Sequence, residues 1–308
     1  MNRTFPFQLT EKLFVLGAEL FPTYLLKGES CALLELGASG SVIPVERQLE
    51  ELEIDKSQIA HLVVQHAHWD HVCGLPYFLR LFPNATVLGS SKAREVLGKP
   101  KIVNYFREND ERWCLRLKDN GTLKELPPFL SYDRMNIDVV IKDGQTFELG
   151  GVPAHFLSTA GHSSCSLSVH LPTEHAVLVS DAIGFYLPDV DGFLPMFFQS
   201  VDNTLASIDR VMEVNADILA YGHAPELILQ GKGEVAHGCR RIREHTLAMA
   251  TRIRAMVEAG ETEETMLETI HQVVYQDFLA RLYLPEYLQA VAPFLLKSIM
   301  GANLSAAD

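Results

Sequence analysis

The stretch His66-Ala67-His68-Trp69-Asp70-His71 sets three imidazoles and one carboxylate within a few residues. Imidazole and carboxylate together suit zinc, iron or manganese. An apolar run, Leu62-Val63-Val64, comes before the cluster and reads as a buried strand. The apolar spacing from Leu75 to Phe82 suits a short helix. The cluster therefore sits on the loop where a strand feeds a helix. His66 and His68, two residues apart on leaving a strand, can point the same way. Asp70 and His71 fall where the chain turns toward the helix, so they can face a neighbouring centre. One short loop could thereby serve two metal ions. The plain alternative is a polar loop that happens to be rich in histidine, and later residues argue against it.

Three further residues have similar surroundings. His162 lies in Ala160-Gly161-His162-Ser163, ahead of a strand-like run from Ser166 to His170. Asp181 ends the apolar run Ala176-Val177-Leu178-Val179-Ser180. His223 follows Tyr221-Gly222 and the apolar run Ile218-Leu219-Ala220. Each is a ligand-type residue at the end or edge of a predicted strand. Loops at one end of a layered α/β domain are where sites are assembled.

Taken together, these four stretches resemble the metallo-β-lactamase-fold superfamily. The family pattern is His-x-His-x-Asp-His, then Gly-His, then an Asp that ends a strand, then Gly-His. Here it reads His66/His68/Asp70/His71, Gly161-His162, Asp181 and Gly222-His223, in the same order. The resemblance covers about residues 10 to 230. It implies an α/β fold: a four-layer αββα sandwich. By position, it implies that His66, His68 and His162 hold one divalent metal ion. Asp70, His71 and His223 would hold a second, with Asp181 bridging. Zinc, iron and manganese all remain open. Within the superfamily, the chain is similar to a subgroup that contains the 2-aminobenzoylacetyl-CoA thioesterase of quinolone signalling. The shared features are length, a middle insertion, the stretch Asp181-Ala182-Ile183-Gly184 and a helical tail. Phe185 departs from that subgroup, which has an acidic residue there.

The chemistry implied is hydrolysis. Two metals a few ångströms apart can share a hydroxide whose parent water has a pKa near neutrality. Asp70 and Asp181 would be the catalytic carboxylates, the first orienting that nucleophile and the second bridging. A thiolate leaving group needs little proton donation, so a thioester or related activated acyl substrate fits a site with no separate general acid. The rivals are a phosphodiesterase or lactonase, a di-iron redox enzyme and a non-enzymatic regulator. The redox relatives usually carry a carboxylate where His68 stands, together with a flavin domain. His61, His155, His170, His175 and His237 lack neighbouring ligands and read as surface or hydrogen-bonded histidines. His245 and His271 would reach the site only if the tail covers it. Cys73 and Cys165 read as small buried hydrophobes.

The elements that must position these groups follow from the rest of the chain. At 308 residues, 47% of them hydrophobic and 21% charged, the chain is globular and long enough for a sizeable core. Lys and Arg number 26 against 39 acidic residues, which argues against nucleic acid and for a small-molecule substrate. Five scattered cysteines without a Cys-x-x-Cys point to a reduced, cytoplasmic setting. No run is long enough to span a bilayer, and the first residues lack an apolar signal core.

Residues 1–230 are expected to form the catalytic domain, with residues 231–308 a helical C-terminal cap. Thr23–Lys27 and Cys31–Leu36 flank a hairpin turn. Val42–Leu52 and Asp202–Glu213 read as helices, the latter capped by Asp202 or Asn203. Residues 99–142 break the strand–helix rhythm, with helical character over Ile102–Leu117. They form an insertion that is either a substrate wall or dimer contact, or a surface excursion. A homodimer is a further expectation. Val139-Val140-Ile141 is expected among the strands of the second half. In the tail, Gly238–Ala259 is helical, Gly260 stops it, and Pro285 opens a last helix through about Met300. Its apolar face includes Leu282, Leu284, Leu288, Val291, Phe294 and Leu295, and it should shape the substrate pocket. The tail arginines (Arg240, Arg241, Arg243, Arg252, Arg254) either meet an anionic substrate group or line a solvated face.

Overall fold

The strand Ala176–Ser180 is buried at every position, which requires cover on both faces. Its alternate residues go to two different cores. Ala176 and Leu178 join one apolar cluster, Val177 and Val179 another. The same division recurs across the chain and builds the layers. The computed structural model describes residues 4–274 and 285–301. Leu282 and Leu284 of the expected tail face lie outside the described residues, as does the side chain of Leu288.

The first sheet has seven strands in sequence order: β1 (Phe7–Gln8), β2 (Leu13–Gly17), β3 (Pro22–Lys27), β4 (Cys31–Leu34), β5 (Ile59–Val63), β6 (Thr86–Ser90) and β7 (Val139–Ile141). β1 to β4 are antiparallel neighbours, and β4 to β7 run parallel. The second sheet comprises β8 (Thr146–Leu149), β9 (Val152–Ser158), β10 (Leu167–Leu171), β11 (Ala176–Ser180), β14 (Ile218–Tyr221) and β15 (Leu229–Gln230). A hairpin, β12 (Phe185–Leu187) with β13 (Gly192–Leu194), stands apart from both sheets.

The sheets share a middle core that includes Tyr24, Leu34, Val63, Phe156, Val169 and Leu178. The outer face of the first sheet packs on α1 (Val42–Glu51), α2 (Trp69–Val72), α3 (Leu75–Leu81), α4 (Ser91–Leu97) and α5 (Pro100–Asp119). The outer face of the second packs on α6 (Val201–Val214), α7 (Lys232–Glu258), α8 (Glu263–Val274) and α9 (Pro285–Met300). The result is a four-layer αββα sandwich. The tail helices share one core with α6 and the second sheet, through Ile208, Ile242, Ile253, Ile270 and Leu296.

Three sequence expectations are corrected. Val139–Ile141 belongs to the first sheet, pairing in parallel with β6 through Leu88↔Val139. α4 and α5 are the crossover that makes this parallel pairing possible. The cap of α6 is Ser200, whose hydroxyl accepts from the Asn203 N–H. α7 begins at Lys232, so Gly238 lies inside the helix, where a Cβ would meet Leu229 Cδ1 at 2.3 Å.

Asp110 of α5 is buried against the turn that follows β4. Its carboxylate accepts the Ser39 N–H at 2.9 Å and the Ser39 hydroxyl at 2.5 Å. Burial pushes its pKa up from 3.8 to about 7, and the Ser39 bonds only partly oppose this. The folded chain therefore keeps this proton to higher pH than the unfolded chain. The stability from that proton is full below about pH 4 and is lost as pH rises toward 7. Asp110→Asn should flatten this loss and gain ~1–3 kcal/mol over the parent at pH 8. Urea unfolding of both proteins at pH 5 and pH 8 reads it. An unchanged difference between the two pH values would refute the assignment.

Candidate metal centre

The strand exits carry the site. β5 ends at Val63, and Gln65 then ties the departing chain to the second sheet. Its Nε2 donates to the Leu167 and Leu178 carbonyls, and its own carbonyl accepts the Leu167 N–H at 2.8 Å. His66, His68, Asp70 and His71 follow on this anchored loop. Cys165 props it from below, its sulfur accepting the Ala67 N–H. On the other sheet, β11 ends in Ser180 with a left-handed φ of 54°, which turns Asp181 toward the loop. β14 ends just before Gly222-His223, and the β9–β10 connection carries His162.

All seven predicted site residues converge at this edge. The potential ligand atoms of His66, His68 and His162 lie within 4.8 Å of one another, as do those of Asp70, His71 and His223. Asp181 stands between the two groups. Its Oδ2 is 3.3 Å from both His71 Nε2 and His223 Nε2, and 3.7 Å from His162 Nε2. All but His68 are almost fully buried.

The ring orientations are set by partners behind them. His71 Nδ1–H donates to the Glu35 carboxylate at 2.7 Å, His162 Nδ1–H to the Met196 carbonyl at 2.8 Å and His223 Nδ1–H to the Leu20 carbonyl at 3.2 Å. His66 Nδ1 shares a hydrogen bond with the Ser180 hydroxyl at 2.9 Å. Each donated N–H leaves the opposite ring nitrogen with a lone pair aimed into the site. His71 Nε2 and His223 Nε2 are then 3.1 Å apart, and His162 Nε2 is 2.9 Å from His68 Nδ1. Lone pairs at such distances repel unless a proton or cation lies between them. His66 Nε2 and Asp181 Oδ1 are buried with no hydrogen-bond partner among the described residues. Orphaned buried acceptors around a nitrogen–carboxylate donor set are what a pair of divalent cations would satisfy.

Electrostatics divides the site. Burial lowers His66 well below the usual imidazole range, His68 to about 4 and His162 to about 3, and neighbouring imidazoles add to the effect. These rings are neutral at pH 7, the form that binds metal. For His71 and His223, burial pulls down as well, but nearby carboxylates, Asp181 foremost, raise both. Asp181 itself is pushed up by burial and pulled down further by His223 and His71, ending well below its ordinary value.

Glu35 escaped the sequence reading. It follows β4 with a φ of 59° and is 2% exposed, although the run Cys31-Ala32-Leu33-Leu34-Glu35-Leu36 is otherwise apolar. A lone acid in such a run was the available signal. Gln65 carried a similar one at the end of Leu62-Val63-Val64. Among the other histidines, His155 and His170 face each other across β9 and β10, and His245 lies against Phe193, away from the centre.

Aromatic groups surround the rim. Trp113 of α5 contacts Trp69 of the metal loop and Phe21. Phe21 and Phe185 flank His223, with ring centroids 5.0 Å and 6.1 Å away. Phe198 lies 4.9 Å from His162, and Phe294 of α9 lies 6.4 Å from Phe198.

A layered α/β sandwich with two clusters of metal-ligand groups at one edge defines a metal-site protein of the αββα class. The chain belongs to the metallo-β-lactamase superfamily, whose family pattern it matches over residues 22–223. A hydroxyacylglutathione hydrolase from Ruegeria pomeroyi is 26% identical over 160 residues, 52% of this chain and 47% of that protein. The matched part thus spans about half the length of that relative. Among solved structures, a metallo-β-lactamase family protein from Thermus thermophilus shares the fold with a TM-score of 0.63 at 19% identity, covering 96% of this chain and 95% of its own. An archaeal superfamily protein from Sulfolobus tokodaii gives 0.59 at 18%, covering 94% and 99%.

Proposed function

We propose that the chain is a dinuclear metal-dependent hydrolase acting on a thioester or related activated acyl compound. The observation that carries this is Asp181, set between two ligand clusters with one carboxylate oxygen unpartnered. His66, His68 and His162 would hold one ion, and Asp70, His71 and His223 the other, with Asp181 shared. Bound there, the ions supply Lewis acidity and lower the pKa of water to near neutrality.

The chain's own residues supply the rest. Asp70 and Asp181 bring negative charge beside the nucleophile, which Asp70 would orient. Glu35 holds His71 in one tautomer through the Nδ1–H bond. Phe21, Phe185 and Phe198 exclude water around the reacting carbonyl, which strengthens each charge inside. A thiolate leaves without a dedicated acid. The Ruegeria relative is named for a glutathione-linked acyl substrate, which supports a thioester here. The resemblance to the 2-aminobenzoylacetyl-CoA thioesterase subgroup also supports a thioester, but Phe185 departs from that subgroup, so its particular substrate is not carried over. The contact of Phe294 with Phe198 supports a cap role for the tail in selecting the acyl group. Five free, buried cysteines support a cytoplasmic setting.

Metal analysis of the purified protein, followed by kinetics on acyl-CoA, acyl-glutathione, lactone and phosphodiester substrates, tests the proposal. We expect two divalent ions per chain and kcat/KM for the thioesters at least ~10-fold above the others. Phe294→Ala should raise KM for a bulky acyl thioester more than for a small one, with kcat largely kept. A metal-free active protein, or a clear preference for phosphodiesters, would overturn the reading.

A further inference from the structure

A second cavity lies away from the metal centre, between α7, α8 and the β12–β13 hairpin. Its volume is about 190 Å³, and its walls include Phe193, His245, Met249, Arg252, Thr269 and Ile270. It opens to solvent on one side, where Ala248 and Arg252 are exposed. Most of the wall is apolar, but the polar groups are of one kind. His245 Nε2 is buried with no hydrogen-bond partner among the described residues. Arg252 makes no ion pair or hydrogen bond among the described residues. Three other arginines of α7 are paired: Arg241 with Asp191 and Glu244, Arg243 with Asp209 and Arg254 with Asp202. Thr269 adds a hydroxyl, and no carboxylate among the described residues lines the cavity.

We infer that this cavity binds a small organic carboxylate with an apolar body of about six carbons. The guanidinium fork of Arg252 matches a carboxylate's two oxygens. The His245 ring nitrogen offers a third contact. Phe193, Met249 and Ile270 take the chain, and methionine adapts to its shape. A pocket of this kind, apolar with a few convergent polar groups, is the usual form of a small-molecule site. Phe193 pairs with Tyr186 across the hairpin, and the adjacent Phe185 lies beside Tyr221 and His223. The bound carboxylate would therefore sit one hairpin away from the metal centre, in a pocket of its own. The inference is independent of the hydrolase reading, because its test reads binding rather than turnover.

The probe is sodium hexanoate, titrated into the full-length, metal-loaded protein with ¹³C-labelled methionine methyls. Met249 lines the cavity, whereas Met196 lies beside His162. Hexanoate should shift the Met249 methyl saturably and leave Met196 still. 1-Hexanol, which lacks the charge, should bind at least ~10-fold more weakly. Arg252→Gln should weaken hexanoate by a similar factor and leave hexanol unchanged. Ala248→Trp, which fills the cavity from an exposed position on α7, should abolish the shift. The idea fails if Met249 shows no saturable shift, if Met196 moves instead, or if Arg252→Gln binds hexanoate like the parent. Should Ala248→Trp not fold, the Arg252→Gln comparison decides alone.

Discussion

Asp181→Ala should strip at least one metal ion per chain and lower kcat/KM by ~10³-fold or more. Asp181 Oδ2 lies 3.3 Å from the site-facing Nε2 of both His71 and His223, and it also approaches His162. Removing it takes away the group shared by both clusters. It also takes away the main negative charge that raises His71 and His223. Those rings should then compete less well for any cation. The fold should survive, because β11 is held by apolar residues on both faces and Asp181 lies just past its end. Metal content by plasma mass spectrometry and thioester kinetics on the same sample make the test. Full metal occupancy with parental turnover would end the dinuclear account.

The second large effect concerns the glycines that precede two of the site histidines. A Cβ on Gly222 would lie 2.8 Å from Asp181 Oδ1, 2.8 Å from His71 Cε1 and 3.1 Å from Ser180 Oγ. Real Cβ atoms do not come that close, so the neighbours must move. They are the buried, hydrogen-bonded side chains that shape the centre. Gly222→Ala should therefore lower metal affinity by ~10–100-fold while circular dichroism stays unchanged, although alanine is chemically inert there. Gly161→Ala should act on the fold instead. Its Cβ would meet Thr204 Oγ1 at 2.1 Å and the Thr204 backbone nitrogen at 2.6 Å, at a φ of 139°. We expect poor folding or a Tm loss of several degrees. Metal titration and thermal melts of the two variants separate these outcomes. Parental metal affinity in Gly222→Ala would show that the packing around Asp181 is looser than these distances imply.

Much of the site was legible in the sequence because its chemistry is local. His66, His68, Asp70 and His71 sit on one loop, and His162, Asp181 and His223 each follow or adjoin an apolar strand. Strand exits on one edge of a layered fold face each other, so the residue types and their order pointed to the convergence the structure shows. What supports the site was harder to see. Glu35 works through the back of His71, a contact that joins residues 36 apart and leaves only a lone acid in an apolar run as its trace. The carbonyls of Leu20 and Met196 that orient His223 and His162 have no side-chain signature at all. β7 is misplaced by sequence reasoning because three residues, Val139–Ile141, carry no mark of their parallel partner. Sheet membership there is decided by the crossover through α4 and α5. The sequence offered Asp202 or Asn203 as the cap of α6, but the extended backbone at Ser200, with ψ 113°, and its hydroxyl's bond to the Asn203 N–H mark Ser200 instead, a residue of equally good cap type.

The division of the site between the two sheets bears on how the chain is made. The first-sheet loop brings His66, His68, Asp70 and His71, while His162, Asp181 and His223 come from the second half, and His71 meets His223 across 152 residues. A growing chain that has just passed His71 holds two of the three members of each cluster and completes neither. Until His223 has emerged and the two sheets have docked, the pair of clusters that shares Asp181 is not assembled. On the dinuclear reading, uptake of both ions would follow closure of the sandwich and then lock it, since ions that bind only the folded chain add their binding free energy to its stability. The centre would then act as a clasp on a finished fold, and a chain stalled before His162 would hold neither of the two clusters whole.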